Sequence, residues 1–217
     1  MRELYLECYS GISGDMTVAA LLDLGVPGEY LMKELEKLHL DGYEIKISKT
    51  KKNQITATDF DVILKDEHKE EHGHEHAHTH VNDEDVKECH EQEHSQEHTH
   101  VHNSYREIKE FILDSKLSDR VKEMILKIFQ VIAEAEAQVH GTAVDEVHFH
   151  EVGAVDSIVD ISAAAICLDY LGFDSIVTSE IWEGKGHVWC QHGRIPVPAP
   201  AVLAIFSKSQ TRLHLSG

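Results

Sequence analysis

Basic residues are scarce in this chain. Its 217 residues hold 20 Lys and Arg against 39 Asp and Glu, a net charge of −19. Phosphate backbones are bound by clustered cations, so this balance argues against nucleic acid and against anionic membrane surfaces as partners. It suits a protein that attracts cations. Cysteine is scarce and unpaired. Cys8, Cys89, Cys167 and Cys190 are far apart and form no CxxC pair, so neither a zinc knuckle nor a disulfide framework is suggested. Lone cysteines fit a reducing compartment, and a cytoplasmic location is expected. No window approaches the run of about 18 apolar residues that a membrane span needs. Met1-Arg2-Glu3-Leu4-Tyr5 places acid where a signal peptide carries positive charge, and no long apolar stretch follows. There is no internal repeat.

What is abundant is histidine, in one place. Eleven of the 18 histidines fall between His68 and His102. Residues Asp66 to Glu97 add twelve carboxylates against only Lys69 and Lys87. A stretch this polar cannot bury enough apolar surface to order itself, so residues 66–103 are expected to be a disordered, metal-binding insertion. His72, His74, His76, His78 and His80 alternate, as do His98, His100 and His102. In an extended chain, alternation puts same-side imidazoles about 7 Å apart. His90, His94 and His98 have helical i, i+4 spacing. Either arrangement can chelate Ni, Cu, Zn or Co ions, with little selectivity among them. The competing reading is a solvated low-complexity loop.

The insertion divides the chain into an N-terminal α/β part, 1–65, and a helical α/β part, 104–217. The fold class expected is α/β (α+β), a small mixed sheet with helices. Leu4–Tyr9 reads as a strand, Ser10–Asp15 as a glycine turn, and Met16–Leu24 as a helix ended by Gly25. Pro27 suits the first turn of a second helix. Tyr43–Ile47 and Thr56–Leu64 alternate as two strands around a polar turn at 51–54. Beyond the insertion, helices are expected over Tyr105–Leu113, from Ser118 to about His140, and over Ser157–Leu171. Ile176–Val177 and Val188–Cys190 are candidate strands. Pro196, Pro198 and Pro200 suggest a stiff loop before a helix at Ala201–Phe206, and the final residues show no closing element.

Three ordered motifs could carry chemistry. Gly11, Ser13 and Gly14 precede a helix start, where exposed amides attract phosphate. No Gly-Lys-Ser/Thr follows, so this is not a Walker loop, and Asp15 would repel a bare phosphate. A simple turn with Ser13 or Asp15 as N-cap explains the same residues. In His148-Phe149-His150-Glu151, an extended backbone puts both histidines on one face and Phe149 toward the core. Glu151 is then available as ligand or base, with Asp156 and Asp160 one turn apart on the next helix. Histidines satisfied by nearby carboxylates, and Asp156 as an N-cap, are the competing readings. In Cys190-Gln191-His192-Gly193-Arg194, Arg194 could clamp a phosphate or carboxylate, and Cys190 and His192 could share an ion. A surface turn explains the same residues.

Taken together, YLECYSGISGD (Tyr5–Asp15), HFHEVGAVDSIVD (His148–Asp160), AAICLDYLG (Ala164–Gly172) and CQHGRIPVPAPA (Cys190–Ala201) resemble the nickel insertion protein family of nickel-pincer cofactor biosynthesis. The resemblance implies an enzyme of the lyase class, a cyclometallase. Such proteins insert Ni(II) into pyridinium-3,5-bisthiocarboxylic acid mononucleotide, forming a carbon–nickel bond. The product is the SCS nickel-pincer nucleotide used by lactate racemase and related enzymes. The family's insertion depends on CTP with Mn or Mg. Family members continue past the proline loop into a C-terminal domain associated with CTP, whereas Ser207–Gly217 does not match that continuation. The chain is therefore expected to be the N-terminal part, with a C-terminal half, the racemase apoenzyme and a further copy of the chain as candidate partners. On this reading His148, His150 and the tract histidines are the expected metal ligands, and Asp15, Glu151 and Asp156 the expected catalytic carboxylates. Gly11, Ser13, Gly14 and Arg194 are the candidates for the mononucleotide. A non-enzymatic nickel chaperone or storage protein is the alternative, and a metal-dependent hydrolase the third reading.

Overall fold

Leu4 and Leu6 alternate with Glu3 and Tyr5 in a short strand, β1 (Glu3–Leu6), which turns Leu4 into the core and Tyr5 outward. This is a computed structural model describing residues 1–65, 104–149, 154–190 and 193–216. The strand ends before Tyr9 because the backbone of Cys8 is committed elsewhere. Its amide donates to Ser179 Oγ at 2.8 Å, and its carbonyl accepts from Gly11 and Trp182. Helix α1 (Gly14–Asp23) starts two residues earlier than expected, after an extended Ser13. Pro27 occupies the N-cap of α2 (Gly28–Leu35), just outside the first turn. A 3-10 turn follows, and Leu31, Leu35 and Leu38 are buried as one apolar stripe.

Strands β2 (Tyr43–Lys52) and β3 (Ile55–Leu64) form an antiparallel hairpin longer than the alternation suggested. Asn53 and Gln54 have φ of 51° and 68°. A two-residue turn with both φ positive matches the twist of the strands, so pairing runs right up to it.

Ser104 caps α3 (Tyr105–Asp114) through a reciprocal capping box with Glu107. Ser118 caps α4 (Asp119–His140), which Gly141 ends at φ 66°. Helix α5 (Val155–Leu171) is apolar on nearly all sides and ends at Gly172. It is the central helix of the core, packing on α1, α2, α4 and β3. One buried cluster takes residues from both flanks of the insertion, from Leu4 to Leu171. Burial there pushes the Cys167 thiol up to about 12, which leaves it inert.

The last third holds β4 (Ser175–Thr178), β5 (Ile181–Glu183), β6 (Gly186–Cys190), β7 (Gly193–Val197), α6 (Pro200–Lys208) and β8 (Leu213–Leu215). The mixed α/β class stands, with the described strands distributed over four two-stranded sheets. Pairs β1–β4 and β5–β8 are parallel, and β2–β3 and β6–β7 antiparallel. The loop expected around Pro196 is instead strand β7. Proline is tolerated because, among the described residues, β7 is an edge strand of a two-stranded ribbon. The last described residues also hold a strand, β8, which three residues are too few to reveal by alternation. Among the described residues no helix is long and apolar enough to cross a membrane.

Candidate functional site

The Gly11–Asp15 turn is where distant parts of the chain meet. Gly11 has φ 84°, a conformation that only glycine adopts easily, and its amide closes on Cys8 O at 3.2 Å. The Trp182 amide reaches the same carbonyl at 3.1 Å, which ties the turn to β5. An open cleft of about 580 Å³ runs beside it, bordered by Cys8, Gly11, Ile12, Met16 and Asp23.

On the other side the turn meets α5. A Cβ on Gly14 would lie 2.5 Å from Asp160 Oδ2, so only glycine fits against this carboxylate. The Asp15 amide donates to the Asp160 carboxylate. The seat that a helix N-terminus offers to an anion is thus partly filled from within the protein. Asp160 Oδ1 is buried and has no hydrogen-bond partner. Burial first, then the charges of Asp15 and Asp156, push the Asp160 carboxyl up to about 6. Ser13 donates its hydroxyl to the Asp15 carboxylate rather than capping α1. Asp156 is exposed in the first turn of α5, with Ala154 at the N-cap, and accepts from the Ser157 amide at 2.8 Å. Asp15, Asp156 and Asp160 therefore converge electrostatically, yet among the described residues no group of three or more His, Cys, Asp or Glu is placed to hold a metal ion.

His148 lies elsewhere, beside Ser104, the residue that follows the histidine tract. It pairs with Ser104 in an isolated antiparallel bridge, and Tyr105 N donates to Val147 O at 3.0 Å. Phe149 is buried at 4% exposure between Tyr105 and Phe129, with ring centroids at 6.4 and 6.0 Å, while His148 is exposed. His150, Glu151, His192 and the tract histidines His72, His74, His76, His78, His80, His98, His100 and His102, expected as ligands, lie outside the described residues.

Arg194 is on β7, directly across from Trp189 on β6. Its Nη2 donates to His187 Nδ1 at 3.4 Å. Cys190 is half-buried opposite Gly193. The sequence motif pairs Asp160 with Asp156 but gives it no role of its own, and it does not single out Trp189. Asp160 had a signal, since it sits one turn from Asp156 on the same motif. Trp189 had only its side-chain type.

Residues 4–216 match the nickel insertion protein family, and the chain belongs to that family. It is similar to curated proteins named pyridinium-3,5-bisthiocarboxylic acid mononucleotide nickel insertion protein. The one from Alkaliphilus metalliredigens is 50% identical over 99% of this chain and 48% of its own length. The Clostridium acetobutylicum protein is 56% identical over 94% of this chain and 49% of its own, and the Geobacillus kaustophilus protein 48% identical over 94% and 44%. The chain spans about half the length of the curated relatives it matches. No solved structure matches it.

Proposed function

We propose that the chain binds Ni(II) and inserts or delivers it into pyridinium-3,5-bisthiocarboxylic acid mononucleotide. The observation that carries this reading is the 50% identity over 99% of the chain to a protein bearing that activity in its name. The geometry supports it. The Ser104–His148 bridge sets the residue that follows the tract beside the first histidine of HFHE. In this reading the tract collects nickel, and His148, His150 and Glu151 receive it. Two thiocarboxylate sulfurs suit nickel as soft ligands. The ring C–H then breaks, its electron pair forms the C–Ni bond, its proton passes to a carboxylate, and nickel stays Ni(II). Glu151 is the nearest acid in sequence to the histidines and is assigned as that base, with Asp15 and Asp156 as polar partners. Arg194 and the Gly11–Ser13–Gly14 turn take the phosphate. Since the Asp15 amide already serves Asp160, Arg194 carries the larger share.

CTP with Mn or Mg finds no preformed carboxylate cage among the described residues. It is assigned to the part of the relatives' length that this chain does not span. That part and the racemase apoenzyme are the partners this reading requires, with the cytoplasm as its location.

The test combines the chain with the C-terminal half of a relative, the metal-free mononucleotide, NiCl₂, CTP and Mn. Activation of an added lactate racemase apoenzyme is expected, and no gain over a control lacking the chain would sink the reading. The alternative is nickel storage. It is separated by deleting residues 66–103: an inserting enzyme still works when nickel is plentiful, while a storage protein loses most of its metal and its purpose.

A further inference from the structure

The β6–β7 ribbon has one face whose aromatic side chain plays no part in the chemistry assigned so far. Alternation puts His187 and Trp189 on the same side of β6, and the register puts Arg194 opposite Trp189 and Pro196 opposite His187. One face therefore displays an indole, a guanidinium and an imidazole in a row. Trp189 is 81% exposed, unusual for a side chain with so much apolar area. The other tryptophan differs. Trp182 already stacks on His214, with centroids 5.3 Å apart at 16°.

The electrostatics of this face run against the rest of the chain. The net charge is −19, yet Arg194 has no carboxylate partner among the described residues. Its hydrogen bond goes to an imidazole nitrogen, which does not neutralise it. Lys185, just before β6, has no ion pair among the described residues either. An unneutralised guanidinium selects a phosphate. The electron-rich face of an exposed indole selects a flat cation. Cross-strand neighbours lie about 5 Å apart at Cα, a spacing that lets one small ligand touch both side chains. A mononucleotide with a cationic ring carries both groups, whereas an ordinary nucleotide offers the phosphate alone.

We propose that this face seats the pyridinium mononucleotide, with its ring stacked on Trp189 and its phosphate on Arg194. The proposal rests on the substrate assigned above and adds the residues that would select it. Trp189 discriminates the charged ring, and Arg194 fixes the phosphate end. His187 accepts from the guanidinium at 3.4 Å.

The full chain allows a direct test, because it has only two tryptophans. Trp182→Phe leaves Trp189 as the sole indole, and Trp189→Phe leaves Trp182. Electron-poor pyridinium rings quench indole emission on contact, so nicotinic acid mononucleotide serves as the probe. In the Trp182→Phe protein, quenching should saturate. Adding Arg194→Met should weaken the apparent affinity about tenfold, the effect of one lost charge-assisted contact. Cytidine monophosphate, with a neutral base, should compete poorly. The Trp189→Phe protein should show no saturable quenching. Linear quenching no stronger than that of free N-acetyltryptophanamide would overturn the proposal. Equal quenching of Trp182 would overturn it too. A concentration-dependent shift of Trp189 emission without probe would mean that a second copy covers this face, and would likewise reject it. No nickel or CTP enters this measurement, so it separates from the functional reading. Saturable quenching without racemase activation would count against insertion alone. Wild-type insertion by Trp189→Phe/Arg194→Met would count against the seat alone.

Discussion

Ser104 is bridged to His148 in an isolated antiparallel pair. Ser104 directly follows the tract, and His148 opens HFHE. The bridge is fixed from both sides. Ser104 is held by its capping box with Glu107, and His148 by the burial of Phe149 beside it. The buried cluster that holds the described residues together draws on both sides of the tract, from Leu4 to Phe60 and from Tyr105 to Leu171.

Replacing residues 66–103 with a short Gly/Ser linker should therefore lower nickel bound per chain several-fold and leave the melting temperature almost unchanged. Loop length enters stability only logarithmically, at roughly 0.6 kcal/mol per doubling. Equilibrium dialysis with metal analysis, paired with calorimetry, checks both halves. A large loss of stability would show that the tract packs on the body of the protein. Unchanged nickel stoichiometry would show that it is not the collector.

Gly14→Ala should destabilise the protein even though alanine is the better helix former. At an ordinary helix position the change gains up to about 1 kcal/mol. Here the new Cβ would sit 2.5 Å from Asp160 Oδ2, and an overpacked contact of this kind costs about 1–3 kcal/mol. The double variant Gly14→Ala/Asp160→Ala should regain most of the loss, because the carboxylate that meets the Cβ is gone. Urea denaturation of the four proteins gives the coupling. Additive effects would mean that the two residues do not touch.

Much of this fold could be read from local signals. Helices α4 and α5 were bounded by Ser118, Gly141 and Gly172, residues whose capping chemistry is written in their side chains. The short strands β5 and β8 were not legible, since three residues cannot show a period and their pairing partner lies about thirty residues away. The site divides in the same way. Asp15 and Asp156 stood out as carboxylates within motifs. The partnership of Gly14 with Asp160 depends on how α1 packs across α5, and neither residue's neighbourhood in sequence encodes that. Trp189 is exposed because none of the described elements packs over this face of the β6–β7 ribbon, which is a tertiary fact.

Asp160→Asn should stabilise the protein at neutral pH and have no such effect in acid. The wild-type carboxyl is raised to about 6 in the fold, against an ordinary aspartate value of 3.8, so the folded state holds this proton more tightly than the unfolded chain. The group's contribution is fully favourable below pH about 4 and is lost as pH rises through about 6. Asparagine keeps the shape and the acceptor for the Asp15 amide but carries no charge. Its advantage at pH 7.5 should be about 1–2 kcal/mol, allowing for solvent around a carboxyl that is only partly buried. Denaturation curves between pH 4 and 8 would show it. A difference that does not change with pH would refute the burial and like-charge account of this group.

Asp23 gives the opposite sign, and it links α1 to the β2–β3 hairpin. Its carboxylate accepts from Lys49 Nζ at 2.5 Å, from the Thr58 amide at 2.9 Å and from the Thr58 hydroxyl at 2.5 Å. These bonds, Lys49 first, hold its carboxyl down at about 2. A depressed carboxyl contributes stability above pH about 4, and that contribution is lost as pH falls through about 2. Asp23→Ala removes the charge and leaves the amide of the buried Thr58 without its acceptor. The side chain is 40% exposed, so solvent screens the ion pair, and the expected loss at pH 7 is about 1–2 kcal/mol. At pH 2 the wild-type carboxyl is itself half protonated, and the gap between the two proteins should narrow. Lys49→Met should cost less than Asp23→Ala, since the two Thr58 bonds survive it. If Lys49→Met proved equally damaging, the ion pair rather than the Thr58 bonds would be what fastens the hairpin to α1.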